Sequence, residues 1–545
     1  MPAVKDNLLA RHLARFLAEK SDLDTGKAVL FAELIEDLGV VVAEGHSCLP
    51  VNDDQRHLLA GSILVSEGEE TPLVLYGNTL SFQKYFRYEQ RLAAQLYRLG
   101  KRVQSVRELQ TCLEAVFAGE PHDGNRQRQA AELAASRGLT IISGGPGTGK
   151  TTTVVRIIST ILQLSGSQLR VALAAPTGKA AMRLRQSVVQ ALDGLELADE
   201  LKAAVPREAM TLHRLLGVTK HSFQFRHNQE NPLQLDLVVV DEASMVDLGL
   251  MSKLVDALPP QGRLVLLGDK DQLASVESGA VLADLVENLG ANTVVLEKSY
   301  RFDRAISSLA AAVNGSHPDT AWRLLAGREQ SNLHLSGTDE RRSLYQGYQG
   351  YMDHVKRLDG DGYAGLFKEF SRFRILCAVR SGRWGVDGIN ALVENHYLDK
   401  EGVSEKWYSG RPVIINRNDY TLDLYNGDIG ICLPDPQDGC LKVWFEAENG
   451  LRSYFPYRLP DHQTAFAMTV HKSQGSEFDN VVLVLPEEDN PVVSRELVYT
   501  GVTRARKSLR LLAGKEMLAG ALARRTKRYS NLGTMLQELE KRSAG

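Results

Sequence analysis

Residues 144–152 read GGPGTGKTT and fit the spacing G-x-x-x-x-G-K-[ST] through Gly144, Gly149, Lys150 and Thr151. Glycines at that spacing let backbone N–H groups converge on phosphate oxygens at a helix N-terminus. Gly145, Pro146, Gly147, Thr148 and Thr152 would complete the cradle. Lys150 would neutralise the β and γ oxygens of ATP, and Thr151 would hold Mg²⁺. The flanks suit that chemistry, because LTIIS before the loop is strand-like and TTTVVRIISTIL after it is helical. The complementary half of such a site is LVVVDEAS, in which Asp241 would hold the metal and Glu242 would take a proton from the attacking water. Read alone, that stretch is a strand ending in two solvated acids; the upstream loop gives it meaning.

Further polar residues follow other apolar runs. LGDKDQLASVESG supplies Asp269 and Gln272, and Gln272 either senses the γ-phosphate or is a polar turn residue. Gln127, in DGNRQRQAAEL about one helix before the loop, has the donor and acceptor needed for both edges of an adenine. Far along the chain, SYRF carries Arg301 and TGVTRAR carries Arg504. Arginines on one domain and a phosphate loop on another would put ATP in a cleft that closes and opens with hydrolysis, which makes a motor or a switch.

These residues need a scaffold, and 545 residues are enough for three or four domains. The chain is 43% hydrophobic and 24% charged, as an ordinary globular protein is, and it has neither a membrane-length apolar run nor a secretory leader pattern. Five scattered cysteines without CxxC spacing argue against a structural zinc or a disulfide framework and point to a reducing cytoplasm. The net charge is −3, but residues 1–120 hold 13 Lys/Arg against 17 Asp/Glu while residues 495–545 hold 12 against 4. Such asymmetry suits different partners at the two ends, or merely solvated faces.

The fold class expected is α/β. Residues 1–115 read as a mostly helical docking domain without a chemical motif. Residues 116–290 read as a first α/β domain, whose continuous β-branched runs imply a buried parallel sheet with functional residues at the strands' carboxyl ends. A second α/β domain spans 291–399 and 463–545, and short alternating segments over 400–462 read as a small inserted β-barrel.

Taken in order, GGPGTGKTT, APTGKAA, TLHRLLG, VVVDEASMVDL, LGDKDQLASVESGAVLADL, SYRF, MTVHKSQGSEFD and YTGVTRAR resemble superfamily 1 helicases, and within them the RecD family, the alpha subunit of exodeoxyribonuclease V (RecBCD). The resemblance covers about residues 120–530. It implies two RecA-like P-loop NTPase domains, a reduced hairpin insertion at about 218–236 in the first, and an SH3-like insertion in the second. Phe223 and Phe225 of that hairpin would either wedge a duplex or simply pack. No aromatic follows Gln272, which agrees with the 5′→3′ branch. Gly475 and Glu477 would face the nucleotide, with Glu477 near the ribose.

The same resemblance implies that DNA crosses Thr177, Gly178 and Lys179, then Thr211 and His213 of the first domain, then Thr469, His471 and Ser473 of the second. His213 is equally readable as a structural histidine near a helix start. The activity implied is ATP-dependent 5′→3′ DNA unwinding beside the beta and gamma subunits (RecB and RecC), in double-strand break repair by homologous recombination and degradation of linear DNA. Nuclease activity would sit on a partner. The other readings are a stand-alone RecD-like helicase and a regulatory ATPase subunit.

Overall fold

The computed structural model describes residues 7–544 except 69, 105, 121–123, 166–168, 220–223, 276, 298–303, 328–331, 337–341, 358–361, 402–405, 420 and 448–449. The chain divides into two compact units, residues 1–300 with 527–545, and residues 301–526.

The first unit is built on a six-stranded sheet in the order Thr293–Leu296, Leu139–Gly144, Arg263–Gly268, Leu237–Val240, Val171–Ala175, Ala209–Thr211. Every neighbouring pair is parallel. Leu237, Val238, Val239 and Val240 are all at most 1% exposed, as strands covered on both faces must be. On one face lie the alanine-rich helix Arg126–Ser136 and the helix Lys150–Ser165, sharing a core with Ile142, Val239 and Val265. On the other lie Met251, Leu254 and Leu285, together with Phe86, Leu92 and Leu96 of the helix Gln83–Lys101.

That last helix changes the expected boundary at 115. Its hydrophobic face is buried against the parallel sheet, so the N-terminal region is part of this unit. The region is also not purely helical. Four short strands, Leu49–Pro50, Thr79–Phe82, Leu73–Tyr76 and Val65–Ser66, form a small sheet beside the helices Leu8–Glu19 and Thr25–Ala43.

Two further expectations are corrected. TVVL at 293–296 does not open the second α/β domain; it pairs with Ile141–Gly144 and forms the edge of the first sheet. The C-terminal helix Leu532–Ala544 does not belong to the second domain either. Leu532, Met535 and Leu536 are buried in the core that contains Leu96 and Val281, because its apolar face needs cover and finds it there.

The second unit has its own parallel sheet, in the order Leu333–Ser336, Ala505–Leu512, Phe478–Val484, Phe373–Cys377, Ala467–Thr469. An antiparallel five-stranded sheet, Gly450–Tyr454, Leu441–Ala447, Ile429–Pro434, Pro412–Ile415, His462–Thr464, occupies the place expected for the inserted β element. Its last strand carries it to 464, slightly past the expected 462. Ile431 and Leu433 join Tyr348, Phe370 and Phe466 in one core, so this sheet is fixed to the α/β part by burial.

Candidate functional site

All six strands of the first sheet run the same way, so the residues that follow them lie along one edge. This edge carries Gly144–Thr151, Asp241 with Glu242, Asp269 with Gln272, Thr177, and Thr211 with His213. Carboxyl ends of parallel strands are where such folds bind ligands.

The phosphate loop follows Leu139–Gly144. A Cβ at Gly144 would stand 2.7 Å from Thr148 Oγ1 and 3.0 Å from Leu296, so only glycine fits. Gly147 and Gly149 take φ of 77° and 83°, left-handed values that let the chain wrap around an anion. Thr148 Oγ1 donates to the Gly145 carbonyl at 2.8 Å. Lys150 Nζ donates to the carbonyls of Gly144 and Gly145 at 2.8 and 3.1 Å, which lays the cation across the loop mouth. Pro146 is buried beside it, and Thr151 and Thr152 begin the helix Lys150–Ser165 half-exposed.

Asp241 closes the strand Leu237–Val240, its N–H donating to Ala174 O at 2.9 Å. Its carboxylate accepts from the Glu242 N–H at 2.9 Å. Burial, and then the neighbouring Glu242, push the Asp241 carboxyl up, while Lys150 and Arg183 pull the other way. Glu242 is held at φ 52°, a left-handed conformation that non-glycine residues seldom adopt and that surroundings must enforce. After the strand Arg263–Gly268, Asp269 and Gln272 are 2% and 5% exposed, and Gln272 Nε2 donates to Asp269 Oδ2 at 3.1 Å.

Gln127 reaches the loop from the helix Arg126–Ser136. Its Nε2 lies 2.5 Å from where a Gly149 Cβ would stand, and its Oε1 accepts from Arg156 Nη1 at 3.0 Å. Arg156 lies outside the expected site residues. Its signal was there, a lone arginine inside the apolar run VVRIIST.

The expected DNA residues of this unit divide by role. Thr177 and Thr211 cap helices, their hydroxyls accepting from Ala180 N and Arg214 N at 3.2 Å each. Both remain half-exposed, as do Gly178 and Lys179. His213 is exposed, with its ring edge-on to Phe225 at 5.7 Å. Phe225 packs against the core of the unit and lies under Lys253 Nζ at 5.2 Å, which favours packing over a wedge. Phe223 falls outside the described residues, as does Arg301.

In the second unit, Thr469 Oγ1 accepts from Lys472 N at 3.3 Å at the start of the turn His471–Ser473. His471 is half-exposed. Ser473 is corrected: it is fully buried and its hydroxyl donates to Val470 O at 2.7 Å, so it closes the turn instead of facing a ligand. Lys472, absent from the expected set, donates to Asn416 at 2.6 Å, and burial followed by the nearby Arg380 holds its pKa down. Gly475 takes φ 68°, and Glu477 accepts from Arg506 Nε at 3.0 Å. Arg504 is 1% exposed, its guanidinium donating to the carbonyls of Thr500 and Ser476 at 3.1 and 3.2 Å.

The AAA domain profile matches residues 127–278, and the UvrD-like helicase C-terminal domain profile matches residues 464–512. A solved structure of Pif1 helicases at forked double-stranded DNA aligns with TM-score 0.41 at 18% identity, covering 77% of this chain and 97% of that one. The ATP-dependent RecD2 DNA helicase of Deinococcus radiodurans is 33% identical over 70% of this chain and 48% of its own. The RecBCD enzyme subunit RecD of Haemophilus influenzae is 36% identical over 92% of this chain and 88% of its own. That of Mycolicibacterium smegmatis is 39% identical over 90% and 88%. With matches this long at these identities, the chain belongs to the RecD family of RecBCD enzyme subunits.

Proposed function

We propose that this chain is the ATP-driven DNA helicase subunit of a RecBCD-type enzyme, moving 5′→3′ along one strand. The observation that carries the reading is the shared edge of the first sheet, where the phosphate loop, the Asp241–Glu242 pair and the capping threonines stand together. The RecD subunits match over 90–92% of the chain at 36–39% identity, the RecD2 helicase over 70% at 33%, which favours the subunit over a stand-alone enzyme.

The residues present fit a magnesium nucleotide. Gly144 leaves no room for a side chain, and Gly147 and Gly149 are left-handed. Asp241 is a half-buried carboxylate whose raised pKa a dication would bring back down. Thr151 and Asp241 would hold Mg²⁺, which when bound would supply charge neutralisation to the triphosphate. Lys150 neutralises the same oxygens from the loop, Glu242 takes the proton of the attacking water, and Gln272 orients that water. In this reading Arg301 and Arg504 offset the charge developing on the transferred phosphoryl group, which requires the buried Arg504 guanidinium to leave the Thr500 and Ser476 carbonyls. Gln127 reads the base, with Gly475 and Glu477 on the nucleotide side.

Single-stranded DNA would be gripped by Thr177, Gly178, Lys179, Thr211 and His213 of the first unit and by Thr469 and His471 of the second. Hydroxyl and imidazole donors hold phosphates without the strong salt-dependent grip of an arginine cluster, which suits a chain that must release at each step. The antiparallel sheet at 412–464 is read as the SH3-like insertion. No described helix is long and apolar enough to cross a membrane; a cytoplasmic place belongs to this reading. RecB- and RecC-type chains are the partners, in a heterotrimer acting on duplex ends in break repair, with nuclease activity on a partner. The N-terminal helix offers a docking face, since Leu8, Leu9 and Phe16 are 64%, 77% and 56% exposed.

The test is Lys150→Gln. It is expected to abolish ATP-dependent displacement of a strand from a 5′-tailed duplex while the melting curve stays cooperative. Full unwinding by that variant would refute the reading.

A further inference from the structure

Arg156 sits one and a half turns into the helix that begins at Lys150, 7% exposed, where an unpaired guanidinium would be costly. It is paired. Nη1 and Nη2 both reach Glu120, Nη1 at 2.8 Å, and the guanidinium lies over the Phe117 ring at 4.7 Å. Nη1 also donates to Gln127 Oε1 at 3.0 Å. Glu120 is held in turn by Asn125, whose Nδ2 donates to Oε2 at 2.9 Å and whose Oδ1 caps the helix that carries Gln127. The bond to Arg156 also keeps the Glu120 carboxyl below its usual range, so the pair stays charged.

This arrangement decides which way Gln127 faces. A guanidinium has donors only, so the amide atom turned toward Arg156 must be the oxygen. The nitrogen is thereby turned to the opposite side, against the backbone of Gly149 at the mouth of the phosphate loop. Resting on the nucleotide reading above, we infer that Arg156, clamped by Glu120 and Phe117, is a positioning residue that presents the Gln127 amide N–H to the base. That N–H calls for an acceptor on the base, and of adenine's ring nitrogens we assign it N7, which guanine shares and pyrimidines lack. Were the amide reversed, its oxygen would instead face the adenine 6-amino group. Base reading by this chain therefore depends on a side chain that does not touch the nucleotide.

The experiment measures DNA-stimulated turnover of the full chain with ATP and with 7-deaza-ATP, which lacks the N7 acceptor. Wild type is expected to show a KM for 7-deaza-ATP on the order of 10-fold above that for ATP. In Arg156→Met that ratio falls toward one, because the KM for ATP rises on the order of 5-fold while kcat stays within about twofold. The double variant Gln127→Ala with Arg156→Met should be no worse than Gln127→Ala alone, since both remove the same contact. Arg156→Lys, which keeps one donor, should recover part of the ratio. An unchanged ratio in Arg156→Met, or additive losses in the double variant, overturns the inference. If Arg156→Met fails to melt cooperatively, Glu120→Gln at its half-exposed position is read in the same way, and an unchanged ratio there is equally fatal. Failure of the nucleotide reading itself looks different: Lys150→Gln would then turn over ATP normally.

Discussion

Gln272 donates its side-chain amide to Asp269 at 3.1 Å, and both side chains are buried at the carboxyl edge of the first sheet. Gln272 closes a turn, its N–H donating to Asp269 O at 3.3 Å. In the function proposed above the side-chain bond also fixes the amide oxygen toward a reacting water, since the carboxylate takes the amide nitrogen. Gln272→Ala is therefore expected to lower the kcat for DNA-stimulated ATP hydrolysis on the order of 10²-fold, with little change in nucleotide binding. Stopped-flow binding and steady-state turnover separate the two. Intact kcat with a lowered Tm would return Gln272 to a purely structural role.

How much of this could be read from residues alone follows from which interactions are local. The phosphate loop was legible because its glycines answer to backbone geometry within nine residues. The parallel sheet was legible because continuous apolar runs such as LVVV need cover on both faces. The sequence offers Gln127 as a candidate but does not display its clamp, since Glu120 and Arg156 are 36 residues apart and only tertiary packing brings them together. Ser473 misled because Thr469 and His471 of the same TVHKS stretch stay half-exposed, whereas a one-turn 3₁₀ element turns the serine inward. Thr293–Leu296 looks like any strand; its partner is decided by pairing with Leu139–Gly144, which the sequence does not display.

A second expectation concerns pH. Asp284 is pushed up from 3.8 to about 7, first by burial and then by the charges of Glu89 and Glu287, and its Oδ2 is buried without a hydrogen-bond partner among the described residues. Glu89 is raised as well by complete burial, although Ser47, Ser530 and the Asn531 N–H all donate to it. A carboxyl with a raised folded-state pKa favours folding when protonated. Its contribution is full below the unfolded value and is lost as pH rises through about 7. Between pH 3.8 and about 7 this group thus makes the first unit less stable as pH rises, and above that its effect is constant. Asp284→Asn removes the titration, and its Tm advantage over wild type should widen with pH, reaching roughly 2–4 °C in alkaline buffer. Parallel melting curves for the two proteins across that range would contradict it.

The C-terminal helix Leu532–Ala544 gives the sharpest stability test, because chain order and structure disagree about where it belongs. It follows the second unit in sequence, yet it packs against Gln83–Lys101 and Val281–Asn288 of the first. Leu536 is 1% exposed inside that core, whereas the ion pair of Lys101 with Glu540, at 2.7 Å, lies on the surface. Burial and not charge should hold the helix. Leu536→Ala is expected to cost about 2–5 kcal/mol, as deletion of a fully packed leucine side chain does. Lys101→Ala should leave the melt nearly unchanged, since an exposed pair is screened by water and salt. Hydrogen exchange locates the damage: in Leu536→Ala, protection should fall in the helices 83–101 and 281–288 and hold in the strands at 373–377 and 478–484. Loss of protection in those last strands instead would place the helix with the second unit after all.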